Sequence, residues 1–208
     1  LKNSTFDANT SGMMILHPNI VGGIDPMTSF TEKGRIEVIS GNITKFAFWP
    51  GFFSSDSVYY YINNAIKVYG TNEFPTTLHI GEGAELRFAK GAGSLLQVGD
   101  GNNLGNLIVS GTAEKPVTFT SAAAQPAKGD WRFIYLTSKS VDCVLDHVNL
   151  FYGGLSQGYD QDATIRIESS SPSITNCLVG KSGRKGMYIT GNSDPYTYGN
   201  TFTENASH

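Results

Sequence analysis

"ATIRIESSSPSITNCLV", residues Ala163 to Val179, and "GMYITGNSDPYTYGNTF", residues Gly186 to Phe202, follow one pattern. In each, a short run alternates apolar and polar residues, breaks at Ser, Gly or Pro, and resumes as a second short run. Superposed at about 22–24 residues, Ile165 falls on Met187, Ile167 on Ile189 and Asn176 on Asn200. Alternation of period two places every second side chain on one face of a strand, and the bounding residues mark tight turns. The preceding "RFIYLTSKSVDCVLDHVNL" (Arg132–Leu150) joins the series, with Ile134 over Ile165 and Val148 over Cys177, if Leu155–Asp162 is an inserted loop. A repeat in the twenties with two or three strands per unit is the pattern of a β-solenoid. One coil cannot bury its own apolar face, but coils stacked about 4.8 Å apart set like residues over like. The predicted fold is therefore all-β, a right-handed parallel β-helix with coils of about 22–24 residues. The hand follows from the strong preference of parallel crossovers.

The same grammar runs back along the chain. "TLHIG" with Leu78 and Ile80, "ELRFA" with Leu86 and Phe88, "NLIVS" with Leu107 and Val109, and "PVTFTS" with Val117 and Phe119 all alternate. "SGTAEKPVTFTS" (Ser110–Ser121) reads as one corner followed by one inward-facing rung. Helical spacing at i, i+3, i+4 and i+7 is scarce and interrupted by Gly or Pro. Residues 13–38, with "NIVGGIDPMTSFTEKG", break the rung pattern. They divide the chain into 1–38, the end of a preceding coil plus a linker-like segment, and 39–208, the β-helix module. "STFDANTSG" (Ser4–Gly12) also echoes "NTFTENASH" (Asn200–His208), with Phe6 matching Phe202, as one unit of a tandem array would.

Composition agrees with strands and turns. Of 208 residues only 16% are charged, against about 25% in an average domain, and 24 are glycine. An apolar share of 39%, with 12 Phe and 10 Tyr, is too high for a disordered chain. A net charge of −3 supplies no basic patch for nucleic acid or an anionic surface. No apolar run reaches the length of a membrane helix, so membrane insertion is not expected. The opening "LKNSTFDANTSGMMIL" lacks the basic start and apolar stretch of a secretory leader, so the chain is expected to start in mid-pattern. Cys143 and Cys177 fall in different columns, which favours buried thiols over a disulfide. His17, His79, His147 and His208 have no metal-ligand spacing, and neither a metal site nor a cofactor is expected.

From Ile39 to Gly154 the chain resembles a family of secreted or cell-surface bacterial and archaeal proteins built of right-handed parallel β-helix repeats. "ISGNITKFAFWPG" and "VYYYINNAIKVYG" resemble its opening strands, and "TTLHIGEGAELRFAKGAGSLLQVG" resembles its next coil. "LIVSGTAEKPVTFTS", "GDWRFIYL" and "LDHVNLFYGG" follow in the family's order. The resemblance implies the fold, and an extracellular or cell-surface setting. It leaves the function open, since most such modules have no assigned activity.

Two chemistries are worth seeking on the outer face. A glycoside hydrolase needs two carboxylates about 5–10 Å apart, and a lyase needs carboxylates for Ca²⁺ with a basic residue to take a proton. The candidates are Asp142 and Asp146 with His147 on one coil, and Asp160, Asp162, Arg166 and Glu168 on the next. No paired acidic motif supports them, and solvated surface charge is the simpler account. The second chemistry is recognition. Tyr135, Arg166 and Tyr188 point outward on successive coils, where a guanidinium between tyrosine rings makes cation–π contacts. Flanked by Tyr152 and Tyr159, this strip suits a sugar ring.

"GDGNNLGN" (Gly99–Asn106) has only one carboxylate for a cation and reads as a plain loop. The sequence thus predicts a non-enzymatic structural or adhesive module with a carbohydrate-binding strip, the alternative being a lyase or hydrolase of an acidic polysaccharide. Its expected partners are a polysaccharide, another surface protein, or other β-helix modules stacked head to tail.

Overall fold

The computed structural model describes residues 2, 4–6, 14–25, 27–30, 34–52 and 58–207. Three parallel sheets run the length of a tube, each taking one strand per coil. The longest sheet stacks β2 (Met14–Leu16), β4 (Gly34–Val38), β7 (Val58–Ile62), β10 (Glu85–Phe88), β13 (Val117–Ser121), β16 (Val148–Phe151), β19 (Leu178–Gly180) and β22 (Thr201–Thr203). The second stacks β5 (Gly41–Ile43), β8 (Ile66–Val68), β11 (Leu96–Val98), β14 (Ile134–Leu136), β17 (Ala163–Glu168) and β20 (Lys185–Thr190). The third stacks β6 (Ala47–Trp49), β9 (Thr76–Ile80), β12 (Gly105–Ser110), β15 (Val144–Asp146), β18 (Ser173–Thr175) and β21 (Tyr196–Tyr198). A separate pair joins β1 (Thr5–Phe6) to β3 (Ser29–Phe30). The protein is a parallel β-helix.

Alternation within each strand fills the tube. Ile66, Leu96, Ile134, Ile165 and Met187 stand in one column, and Val68, Val98, Leu136, Ile167 and Ile189 in the next. Most of these side chains are fully buried, and each contributes about 1.5–3 kcal/mol against exposure. Phe88 stacks on Trp131 at 4.4 Å and on Phe119 at 6.2 Å. The indole of Trp131 donates to the Phe151 carbonyl at 2.8 Å, so this buried N–H is satisfied. Ile165 lies beside Met187, Ile134 beside Ile165, and the register of Asn149 on Leu178 brings Val148 to Cys177, as the repeat requires. Cys143 and Cys177 are free and buried.

Coil length departs from the repeat. Met14 lies beside Ile36, Ile36 beside Tyr60, Tyr60 beside Leu86 and Leu86 beside Phe119. Phe119 then lies beside Leu150, Leu150 beside Val179 and Val179 beside Phe202. The steps are thus 22 and 24 residues at the start and 23 at the end, but 26 to 33 between. The surplus sits in the corners. One such corner is the turn closed by Asp100 and Asn103, another the turn closed by Thr112 and Lys115, and Leu155–Asp162 is a third.

One corner also shifts by a residue. Asp146 lies beside Thr175 and Thr175 beside Tyr198, so His147, Asn176 and Gly199 form a line, all with left-handed φ of 50, 54 and 67°. Asn176 therefore stacks on Gly199, not Asn200, because the corner selects left-handed backbone, which Gly and Asn both tolerate. Asn200 does different work beside it. Its side chain accepts from the Cys177 N–H at 2.9 Å and donates to the Ile174 carbonyl at 2.8 Å.

Within residues 13–38, expected to be linker-like, β2 and β4 belong to the longest sheet. Between them a 3₁₀ helix, Pro18–Gly23, lies across β5 and β6. It is fastened by the Thr44 N–H to Asn19 Oδ1 at 3.0 Å and by the Trp49 indole to the Pro18 carbonyl at 3.3 Å. Gly and Pro there mark this covering turn. Of the Ser4–Gly12 echo, residues 7–12 lie outside the described residues. Among the described residues, no helix is long and apolar enough to cross a membrane.

Candidate functional site

The outer face of the second sheet presents one residue per coil at a shared position: Asn42, Lys67, Gln97, Tyr135, Arg166 and Tyr188. The last three form the strip anticipated from the alternation. The Arg166 guanidinium lies 4.5 Å from the centre of the Tyr135 ring. It also pairs with Glu168 at 2.8 Å, and Glu168 accepts a hydrogen bond from the Tyr135 hydroxyl. Tyr135, Arg166 and Glu168 are thus one closed triad spanning two coils. Burial, then the bond to Glu168, pushes the Tyr135 hydroxyl up to about 12. Donation from Tyr135 is the main cause holding Glu168 below its ordinary carboxyl value, with Arg166 adding to it.

Tyr188 stands outside the triad. Its ring is 5.8 Å from the Lys185 ammonium, which in turn donates to the Asp160 carbonyl at 2.7 Å. Lys185 therefore ties the Leu155–Asp162 loop, with the exposed Tyr159, to the strip. The expected sandwich of Arg166 between two tyrosines is reduced to one face, that of Tyr135. Tyr152 lies elsewhere: it packs against the core from a left-handed corner, and its ring and hydroxyl meet Lys181.

Three of the acidic candidates, Asp146, Asp162 and Glu168, are otherwise engaged. Asp162 is buried, and one carboxylate oxygen accepts from the Gln157 and Tyr159 N–H groups at 2.7 and 3.1 Å. It holds the loop's shape. Asp160 meets Lys185 through its backbone. Asp162 immediately precedes β17 and Glu168 ends it, so six steps of extended chain set them about 20 Å apart, twice the span a hydrolase pair uses. Asp146 accepts from Thr175 at 2.6 Å and Asn176 at 3.0 Å, with His147 at 3.1 Å, and so fastens one coil to the next. For Asp146 these bonds outweigh the upward push of burial and lower the carboxyl. Asp142 lies four residues from Asp146 along the chain, about 13 Å if extended. Among the described residues no cluster of metal ligands forms. Both thiols are pushed up to about 11 by burial, so they are poor nucleophiles.

The longest sheet repeats the arginine device, which the sequence reading passed over. Arg35 lies 4.5 Å from the Tyr61 ring and pairs with Glu37, and Arg87 lies 3.9 Å from the Tyr59 ring and pairs with Glu85. In all three cases Arg and Glu are two positions apart on one strand, and the ring belongs to the neighbouring coil. The signal was present as "RIE", "ELR" and "RIE", each beside tyrosines one coil away. Such groups brace the outer faces, and the one on the second sheet has Tyr188 in line on the next coil.

No family model, curated protein or solved structure matches the chain.

Proposed function

We propose that this chain is a non-enzymatic β-helix module of the cell surface or extracellular space that binds carbohydrate along the Tyr135–Arg166–Tyr188 strip. The observation that supports this reading is the locked triad beside Tyr188. Arg166 is fixed by Tyr135 and Glu168, so the strip is rigid before any ligand arrives, and binding need not order it. Tyr188 offers the ring face, and Lys185 and the Asp160 loop form a polar rim for hydroxyl groups. The lyase or hydrolase alternative draws little support, since Asp162 is held by backbone N–H groups and Asp146 and Glu168 by neighbouring side chains.

The test is binding of the whole chain to an array of neutral and acidic glycans. Tyr188→Ala is expected to weaken the best glycan about three- to tenfold, in line with the ~0.5–1.5 kcal/mol of an aromatic contact. Tyr152→Ala is expected to leave it unchanged. An array on which no glycan binds, or binding indifferent to Tyr188, overturns the proposal. Loss of polymer length in any pectin or alginate, with Ca²⁺ present, would favour the enzyme instead.

A further inference from the structure

The row of contacts through Tyr135 does not end at the triad. On its other side the Phe133 ring meets Tyr135 edge to face at 5.6 Å, and the Arg132 guanidinium lies 4.6 Å from the centre of Phe133. Arg132, Phe133, Tyr135 and Arg166 therefore form one run of cation, ring, ring and cation. Phe133 is buried, whereas Arg132 and Tyr135 are partly exposed. Arg132 sits mid-tube, its N–H donating to the Ser94 carbonyl at 3.0 Å and its carbonyl accepting from the Gly154 N–H at 2.8 Å. Coils on both sides thus fix its backbone.

Arg132 departs from the other stacked arginines. Arg35, Arg87 and Arg166 each pair with a glutamate two positions away on the same strand. Two positions from Arg132 stand Ile134, inside the tube, and Asp130. The Asp130 carboxylate is already engaged: it accepts from the Ser121 hydroxyl at 2.7 Å and the Ala127 N–H at 2.9 Å, and pairs with Lys90 at 3.3 Å. Among the described residues no carboxylate pairs with Arg132, and its Nε is buried without an acceptor. A guanidinium presents a planar fork of N–H donors that fits a carboxylate or a sulfate. Partly withdrawn from water, it gains more from such a partner than an open one does.

We propose that the carbohydrate taken by the strip is an acidic one, and that Arg132 receives a carboxylate or sulfate group of the sugar chain lying across Tyr135 and Tyr188. This rests on the carbohydrate reading and names its ligand class. Tyr188 is two coils from Tyr135, about 10 Å along the axis, and Arg132 is three residues back from Tyr135, about 10 Å along the chain. The diagonal of about 14 Å suits a short oligosaccharide with one ring on Tyr188 and an acid group at Arg132. An acid group set at Arg166 instead meets Glu168 at once. With a net charge of −3 over the chain, the attraction is local to this point and not a property of the whole surface.

Equilibrium binding of the whole chain to matched pairs tests this: uronate oligosaccharides beside their carboxyl-reduced forms, and sulfated ones beside their desulfated forms. Wild type is expected to bind an acidic member about tenfold or more tighter than its neutral counterpart, and the series that shows it tells carboxylate from sulfate. Arg132→Gln is expected to erase that preference while keeping the neutral affinity, which also shows that the variant folds. Arg132→Lys keeps the charge without the fork and should fall between. Tyr188→Ala is expected to weaken both members of a pair alike and leave their ratio. Glycans bound without preference for the acid, or a preference that survives Arg132→Gln, would overturn the inference and leave the carbohydrate reading standing. Inorganic polyphosphate bound as tightly as the best glycan would overturn it as well, by showing attraction to charge alone. Binding to no glycan at all removes both.

Discussion

The hydrogen bond from the Tyr135 hydroxyl to Glu168 ties stability to pH at both extremes. The Tyr135 hydroxyl is raised in the fold from 10.0 to about 12, so its contribution is complete below pH 10 and fades as pH climbs towards 12. Glu168 is lowered from 4.5, so its contribution is complete above that value and fades as pH falls below it. Tyr135→Phe removes the first effect and the main cause of the second, leaving only what Arg166 adds at Glu168. The gap in denaturation midpoint between wild type and Tyr135→Phe should therefore be widest near neutrality and narrow in both directions. Parallel profiles would show that the triad is not formed. The stacking of Tyr135, Arg166 and Tyr188 was legible because alternation fixes which way a side chain points. The bond to Glu168 was not, because it depends on how far two side chains reach between coils. Asp162 was misread for a related reason: its partners are the N–H groups of Gln157 and Tyr159, and a loop's backbone leaves no pattern in composition.

At the scale of strands and corners, strands follow the sequence closely while corners follow it loosely. An alternating run announces itself, as "TIRIE" and "GMYIT" do, but a corner has no period, and its length is free once its ends meet. That is why spacings of 26 to 33 residues escaped a repeat measured on the last coils. It is also why Asn200 was set one residue out of place. Corners are held by side-chain amides, and Asn205 repeats the device of Asn200, accepting from the Ser182 N–H at 3.0 Å and donating to the Val179 carbonyl at 3.1 Å. Asn200→Ala leaves both the Cys177 N–H and the Ile174 carbonyl without these partners. It should cost about 1–3 kcal/mol in chemical denaturation, whereas Asn192→Ala, on an exposed turn, should be close to neutral. Equal effects would remove the corner amides from the account of the fold.

Over the whole molecule, stability is a sum of neighbouring coils, and position along the axis sets what a side chain is worth. Ile165→Ala, inside a column with a coil on either side, should cost about 2–5 kcal/mol. Ile189→Ala in the next column, on β20 and 45% exposed, should cost less than about 1 kcal/mol. Comparable losses would mean that burial between coils does not set what a side chain is worth. The varying corners have a last consequence. The rise from one rung to the next is fixed near 4.8 Å by backbone hydrogen bonds, whatever the number of residues spent going round. Chain length and axial height are therefore decoupled: an insertion at Leu155–Asp162 or Asp100–Asn103 thickens the outline at one level and leaves every displayed side chain at its mark on the axis.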